Sequence, residues 1–527
     1  MRVLNRQIGL AIVGGICHAL ALTPWVDAVW PPLAALLQTA GMAALVWSLA
    51  DARSPRQAAL AAWLYGTVWL IGGTGWTYVS LHRYGGLPAW LSALSVLLLS
   101  LFLAIYLAGA GWLWSQRPSQ AGVWRSAWGW GSVWLLAELA RAMIFTGFPW
   151  ASSGYGLVDV SWRLLAPWCG VYGVGALWAV WVAAAVLTVR QWAVTRSLSS
   201  LHWIRMVAVV TLVGSIVWQP DIAGAQFTKP VGRAISVTLL QGNVPQDEKF
   251  ESALQVPMLV WHAKAMLSAQ TDLVVAPETA IPLLPSQLPD DYWSGLLGGF
   301  KASGRYALFG IPLGSFEAGY TNSVVGLSAQ ASNEPAGYYR YNKHHLVPFG
   351  EFIPWGFHWF VQLMNMPLGD FDRGPLVTPS FDVAGQRIAP TICYEDLYGE
   401  EIAARFADPR AAPTILANVS NLAWFGDEVA IFQHQQIARM RSLEFQIPTI
   451  RATNTGATMV VGPNGAILKK LPPNTRGQLV ASVQGYAGVT PYAWWAGRWG
   501  LWPLVVVGAL ASIALNRIQP LRRRNAA

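Results

Sequence analysis

Ile388-Ala389-Pro390-Thr391-Ile392-Cys393-Tyr394-Glu395-Asp396 decides how the polar part of this chain is read. A short run of apolar and β-branched residues reads as a strand, and it stops at a cysteine followed by three polar side chains. The same grammar recurs at Leu273-Val274-Val275-Ala276-Pro277, which runs up to Glu278. Working outward, residues 235–241, 272–278, 306–312, 388–393, 414–419, 458–462 and 479–483 read as strands. Residues 252–270 and 428–446 read as helices, the second with Ile431, Phe432, Met440, Leu443 and Phe445 available for burial. Strands this apolar require a sheet covered on both faces, so residues from 234 to about 484 predict an α/β or layered α/β fold.

The flanks are a different kind of chain. Of 527 residues, 54% are hydrophobic and 12% charged, which excludes disorder and argues against a wholly soluble protein. Thirty Trp fit interfacial aromatic belts. Apolar stretches near the ~20 residues a bilayer requires run over 7–24, 29–50, 58–79, 88–114, 124–144, 164–189 and 203–218, with a last one at 499–515. The expectation is a polytopic bundle of about eight transmembrane helices with residues 219–498 as a polar domain between the seventh and the eighth. That divides the chain into 1–218, 219–498 and 499–527. Glu138 and Arg141, three apart in the fifth stretch, can share a helix face and pair inside the bundle.

Charge gives the orientation. The formal net charge of +9 is unevenly spread: Asp221–Arg498 carries 19 Lys+Arg against 22 Asp+Glu, and the remainder carries 16 Arg against 4 acids. A soluble basic face for nucleic acid is therefore excluded. With eight spans, thirteen arginines fall on one side (Arg2, Arg6, Arg53, Arg56, Arg117, Arg125, Arg190, Arg196, Arg205, Arg517, Arg522, Arg523, Arg524) and only Arg83, Arg141 and Arg163 on the other. Both termini are then cytoplasmic and the polar domain extracytoplasmic, which in a bacterium is the periplasm. Arg2, Arg6 and Ala19-Leu20-Ala21 also fit a cleavable signal peptide; the length of the apolar run favours retention.

Cys17 and Cys169 fall inside spans, leaving Cys393 alone in the polar domain, so no disulfide framework is expected. A solitary thiol is either an inert core residue or a reactive one. Glu278 and Cys393 end strands, and Lys343 lies in Tyr341-Asn342-Lys343-His344-His345. Strand ends of α/β sheets are where sites form. A half-buried carboxylate can take a thiol proton, and a nearby ammonium favours the thiolate and stabilises the oxyanion made when it attacks a carbonyl. That attack leaves an acyl-thioester, which divides one acyl transfer into two easier steps. A capped strand end, a surface charge and a packed thiol explain the same three residues without chemistry.

Motifs in order along both regions favour the chemical alternative. They are Leu240-Gln241-Gly242-Asn243-Val244-Pro245-Gln246, Ala276-Pro277-Glu278-Thr279, Lys343-His344-His345-Leu346-Val347-Pro348-Phe349-Gly350-Glu351, Ile392-Cys393-Tyr394-Glu395 and Ser420-Asn421-Leu422-Ala423-Trp424-Phe425-Gly426-Asp427, with Gln433-His434 and Arg439-Met440-Arg441 on the following helix. Gly75-Trp76 with Tyr78-Val79-Ser80, and Thr146-Gly147-Phe148-Pro149-Trp150, add two from the apolar part. Together they resemble the nitrilase (carbon–nitrogen hydrolase) superfamily and, within it, the bacterial apolipoprotein N-acyltransferases.

That resemblance implies a four-layer αββα domain on an eight-span bundle. It implies Cys393 as nucleophile, Glu278 as general base and Lys343 as oxyanion-stabilising cation. Glu351 would be a second carboxylate steering Lys343 and assisting proton transfer, with Tyr394 and Glu395 shaping the pocket. A phospholipid, phosphatidylethanolamine in the family's usual case, would give its sn-1 acyl chain to Cys393. The amino terminus of a diacylglyceryl-cysteine apolipoprotein would accept it. Phe250 stands where the family often has Trp, and Leu422 where it has Asp, which leaves pocket details open.

A second feature comes from the residues alone: Ile353, Trp355, Phe357, Trp359, Phe360, Val361, Leu363, Met364 and Met366 crowd the segment after Glu351. It reads either as core or as a segment that dips into the membrane and gates lipid access. Trp424 and Phe425 form a second candidate lid. A membrane-tethered amidase using the same triad with water, and a transporter carrying an inert domain, are the competing readings; few ionisable residues fall within spans, which disfavours the transporter. Scattered His, no zinc-spaced Cys–His cluster and no phosphate loop predict no metal and no cofactor. A monomer is expected.

Overall fold

The structure is a computed structural model that describes residues 2–118, 121–195, 207, 210–211, 213–216, 224–249, 252–315, 317–331, 336–357, 359 and 370–516. Phe250, Phe360, Val361, Leu363, Met364, Met366, most of the seventh apolar stretch, Arg196, Arg205 and the C-terminal arginines lie outside the described residues. The chain divides into two compact units. One comprises Met1–Gly75, Ala93–Ala223 and Leu501–Ala527; the other comprises Trp76–Ser92 and Gly224–Gly500.

The first unit is helical. Among the described residues of the whole chain, Leu33–Ala50, Ala89–Ser115 and Ser161–Ala193 are long and apolar enough to cross a membrane; Pro491–Trp499 with Trp502–Leu515 counts as a fourth if taken as one broken span. The third expected span stops early. Its helix begins at the Ser54 cap, whose hydroxyl accepts from Gln57 N (3.3 Å), with Pro55 in the first turn, and ends at Thr74. Val123–Met143 is helical but carries Glu138 and Arg141.

Those two charges pair at 3.7 Å, both buried, as their spacing predicts. Each does more than neutralise the other. Glu138 accepts from Ser153 N (2.8 Å) and Ser153 Oγ (3.0 Å), while Arg141 donates to the carbonyls of Phe148 and Trp150. The pair thus supplies hydrogen bonds to the irregular Thr146–Ser153 backbone, which an apolar environment would otherwise leave unsatisfied. Gly14 and Gly41 let the helices Arg2–Leu20 and Leu33–Ala50 approach closely: a Cβ on either would lie 2.7 Å or 2.6 Å from the other's carbonyl oxygen.

The second unit is a sandwich of two six-stranded sheets. Among its described residues, fourteen strands run as β1 Thr228–Pro230, β2 Ile235–Gln241, β3 Leu273–Val275, β4 Tyr306–Ser315, β5 Gly319–Leu327, β6 Tyr339–Asn342, β7 Phe381–Val383, β8 Gln386–Ile392, β9 Ile415–Ser420, β10 Thr449–Thr453, β11 Met459–Val461, β12 Ile467–Lys470, β13 Gly477–Val483 and β14 Tyr486–Gly488. The sheets are ordered β13-β2-β3-β4-β5-β6 and β12-β11-β10-β9-β8-β7, and β1 pairs with β14 separately. In both sheets the central strands are parallel: β2, β3 and β4 in one, β8, β9 and β10 in the other.

Alternation along each strand builds the layers. Ile235, Val237, Leu239, Leu273 and Val275 face Ile388, Ile392, Ala417, Val419 and Ile450 between the sheets. Leu240, Val274, Ala307 and Phe309 point outward to the helices Ser252–Ser268 and Asp290–Ser303. On the far side Ala389 and Leu416 meet Phe406, Phe445 and Tyr492. The result is the layered αββα arrangement, with each central strand buried on both faces.

Several expected boundaries move. The strand read over 272–278 ends at Val275, because Ala276-Pro277-Glu278-Thr279 turns away with Thr279 at φ 48°. The helix Val429–Phe445 is buried along Ala430–Phe445, not on an apolar stripe alone, and Gln433, His434, Arg439, Arg441 and Glu444 are inside with the rest. Leu422, in the position where an Asp was anticipated, is fully buried in the core between the sheets.

Candidate active site

Three of the expected residues reach one place by different routes. Cys393 follows β8 at a φ of 51°, a left-handed turn that aims its side chain off the strand end. A non-glycine residue in that region carries strain that its surroundings must hold. Here Asn418 Nδ2 donates to the Cys393 carbonyl (3.4 Å) and to Thr391 Oγ1 (3.0 Å). Glu395 does the larger part. Its Oε2 accepts from Ile392 N and Tyr341 OH, each at 2.7 Å, and its Oε1 from His344 N (2.7 Å) and His345 N (3.2 Å). One carboxylate therefore ties the cysteine turn to the segment that carries Lys343. The Tyr394 ring packs against Tyr398 and His345.

Glu278 sits beyond β3 on a turn packed against β4. Gly310 permits this: a Cβ there would stand 2.6 Å from Glu278 Cα and 2.5 Å from Thr279 N. Behind the turn, buried Lys249 donates to the Glu278 carbonyl (3.2 Å) and to Thr279 Oγ1 (2.5 Å). Burial draws Lys249 down to about 8, against the opposing pull of the Glu278 charge. In front, Glu278 Oε2 accepts from Asn421 N (2.9 Å) and Oε1 from Asn322 Nδ2 (2.8 Å).

Lys343 is 1% exposed and follows β6. Its Nζ lies 2.8 Å from Glu351 Oε1 and 3.6 Å from Glu278 Oε1. Glu351 Oε2 is fixed by Val347 N at 2.8 Å. Burial opposes the Lys343 charge, but the carboxylates of Glu351 and Glu278 beside it outweigh that and hold its pKa above the ordinary lysine value. Lys343 stays an ammonium.

The thiol behaves differently from the expectation that a nearby ammonium would yield a thiolate. Burial first, then the Glu278 charge, push Cys393 up to about 12; Lys343 and the Ser420 hydroxyl pull the other way without prevailing. At rest Cys393 is a thiol. Its proton must leave as the attack occurs, which is work for an adjacent base.

The lid candidates separate into two groups. Trp424 and Phe425 are half-buried on a short turn, Ala423–Phe425. They are held within this unit by residues 76–92: Trp76 meets Phe425 edge to face (4.7 Å) and donates from Nε1 to Gln433 Oε1 (3.0 Å), and Tyr84 meets Trp424 (5.5 Å). Arg83 adds a pair to Asp247 at 2.7 Å. Trp355 by contrast is 96% exposed and Trp359 62%. The core alternative for these two does not hold.

Sequence reading missed Asn322, Asn418, Lys249 and the buried trio Asp396, Arg451 and His434, in which Arg451 donates to Asp396 Oδ2 and to His434 Nδ1, each at 2.9 Å. Asn421, Asp396 and His434 lay in stretches already singled out, but without a role of their own. Asn322 carried no signal, because strand β5 itself was not anticipated.

Residues 14–185 match the family described as Apolipoprotein N-acyltransferase N-terminal domain, and residues 236–492 match Carbon-nitrogen hydrolase. An apolipoprotein N-acyltransferase of Verminephrobacter eiseniae is 45% identical over 99% of this chain and 98% of its own. Another, from Ralstonia nicotianae, is 43% identical over 96% and 92%. Among solved structures, an amidase from Nesterenkonia sp. aligns with 50% of this chain and 93% of its own at 19% identity and a TM-score of 0.35.

Proposed function

The chain belongs to the apolipoprotein N-acyltransferase family, and from that premise we propose how its residues carry out the transfer. It is an N-acyltransferase, with a phospholipid as donor and a lipoprotein as acceptor. The observation that carries the residue assignment is one buried cluster holding a thiol pushed up to about 12, two carboxylates and one ammonium.

In the first half-reaction Cys393 Sγ attacks the carbonyl of the sn-1 ester of a phospholipid, phosphatidylethanolamine being the candidate donor. Glu278 accepts the thiol proton as the S–C bond forms, and Lys343 compensates the oxyanion of the tetrahedral intermediate. The C–O bond then breaks. The departing glyceryl oxygen takes the proton from Glu278, leaving a lysophospholipid and an acyl-thioester on Cys393. In the second half the α-amino group of an S-diacylglyceryl-cysteine attacks the thioester carbonyl and gives its proton to Glu278. The C–S bond breaks, the proton returns to Cys393, and an N-acyl amide is released. Glu351 keeps Lys343 charged and placed through both halves.

Residues 1–218 and 499–527 are assigned to an eight-span bundle and 219–498 to the catalytic domain. The excess of arginine on one side supports cytoplasmic termini and a periplasmic site at the bacterial inner membrane. Trp355 and Trp359 are assigned to lipid access, because large exposed aromatics beside Glu351 suit an interface of apolar chains and water. Phe250 is kept as a pocket candidate, and a monomer as the working state.

The test is transfer from defined phosphatidylethanolamine vesicles to a synthetic diacylglyceryl-cysteinyl peptide. Equal yields of lysophospholipid and N-acyl peptide support the scheme. Free fatty acid in place of acylated peptide would mean that water is the acceptor, as in the amidases.

A further inference from the structure

The four charged or nucleophilic groups of the site do not account for its geometry. Glu278 Oε1 and Glu351 Oε1 both lie against Lys343 Nζ, at 3.6 Å and 2.8 Å, and two carboxylates gathered on one ammonium repel each other. A fifth group lies between them. Asn322 Nδ2 donates to Glu278 Oε1 at 2.8 Å and to Glu351 Oε1 at 2.7 Å, so the two oxygens are bridged by the amide as well as by the ammonium. The main chain of the same residue reaches the third member: Lys343 N donates to Asn322 O at 2.8 Å.

We infer that Asn322 is a positioning residue for acyl transfer, holding the base Glu278 and the second carboxylate Glu351 at a fixed separation about Lys343. This rests on the assignment of Glu278, Lys343 and Cys393 given above.

The chemistry of the side chain suits the task. A primary amide carries two N–H donors on one nitrogen, one for each carboxylate, and brings no charge of its own. A hydroxyl offers a single donor, and a carboxylate would add a third negative group. The orientation is dictated by the partners, since turning the amide over would set its oxygen against both carboxylates. That orientation has a cost. Asn322 is 4% exposed and its Oδ1 is buried with no hydrogen-bond partner among the described residues, which disfavours folding. Val324 and Val325, further along β5, are simply buried. A polar residue with an unsatisfied oxygen on a strand of this kind is explained by what its nitrogen does at the site.

The position on β5 adds rigidity. Asn322 lies opposite Pro312 of β4, the strand whose Gly310 supports the Glu278 turn, and one residue before Ser323, which pairs with Asn342 of β6 next to Lys343. It sits where the strands carrying base and cation meet.

The test uses the full-length enzyme with phosphatidylethanolamine and the diacylglyceryl peptide, comparing Asn322→Ala, Asn322→Asp, Glu351→Gln and the double variant Asn322→Ala with Glu351→Gln. Cys393→Ala is the control, and thermal unfolding is followed throughout. The expected result is a fall in kcat of about 100-fold for Asn322→Ala, in the range of a misplaced general base, with KM within about twofold. Asn322→Asp, which keeps the shape but loses the donors, should be at least as slow. The double variant should be no slower than about threefold below the worse single one, because both changes break the same bridge.

Three results would overturn the inference: Asn322→Ala within about threefold of wild type, a fully active Asn322→Asp, or losses that multiply in the double variant. If Asn322→Ala fails to fold, Asn322→Asp and the Glu351 cycle built on it decide the question. An active Cys393→Ala would instead bring down the underlying assignment of the nucleophile.

Discussion

Two of the buried charge clusters among the described residues of the second unit are built on opposite principles. Around Asp396 the charges match: one carboxylate meets one guanidinium at 2.9 Å, Thr391 donates to the other oxygen at 2.9 Å, and His434 completes the set. Burial raises Asp396 and lowers Arg451, and in each case the partner's opposite charge works against that shift. Around Lys343 the charges do not match. Two carboxylates and a thiol share one ammonium, and the thiol cannot ionise at rest. A balanced network has no reason to move a proton. An unbalanced one holds a proton on sulfur, and in the proposed mechanism Glu278 takes it when a carbonyl arrives.

Breaking each cluster should therefore give different losses. Removing the base by Glu278→Gln is expected to lower acyl transfer by about 10³-fold or more with little loss of stability. The same change removes a charge that raises the thiol. In wild type the rate of Cys393 alkylation by iodoacetamide should climb without a plateau from pH 7 to about 10, as a thiol near 12 requires. In Glu278→Gln that curve should move to lower pH even as acyl transfer is lost. A shift to higher pH would contradict the electrostatic account.

In the balanced cluster the loss should be one of folding. Arg451→Met leaves Asp396 buried and unpaired and should destabilise the unit by about 3–5 kcal/mol. Pairing it with Asp396→Asn should recover a good part, read by denaturant unfolding. Molecules that remain folded should keep kcat within about tenfold. A variant of normal stability and no activity would place Arg451 in the chemistry. The smallest effect lies outside both clusters: Trp355→Ser with Trp359→Ser should slow acylation from vesicles by about three- to tenfold, as expected of lost interfacial anchoring. A short-chain soluble ester should react at the wild-type rate; equal slowing of both donors would remove the lipid-access role.

The sequence made the strand ends readable because Ile388–Cys393 and Leu273–Glu278 are apolar runs closed by single polar residues, a contrast that periodicity detects. It did not make Asn322 readable. Gly319-Tyr320-Thr321-Asn322-Ser323 lacks that contrast, since its polar side chains are buried among partners supplied by distant strands. The helix Val429–Phe445 shows the same blindness: its Arg and Glu look solvated in one dimension and are inside in three. In the apolar unit the error runs the other way. Hydropathy continues past Thr74, but Trp76, Val79 and Tyr84 group with the catalytic unit, through contacts to Phe425, Gly426 and Trp424. A hydropathy window cannot distinguish an aromatic that faces lipid from one that faces protein.

The central claim is that acyl transfer passes through a thioester on Cys393, and intact-mass spectrometry of the protein purified from membranes tests it most directly. Wild type incubated with phosphatidylethanolamine should gain the mass of one fatty acyl chain, removable by hydroxylamine and absent from Cys393→Ala. An unmodified wild type that still acylates the peptide, or an adduct that persists in Cys393→Ala, would contradict it.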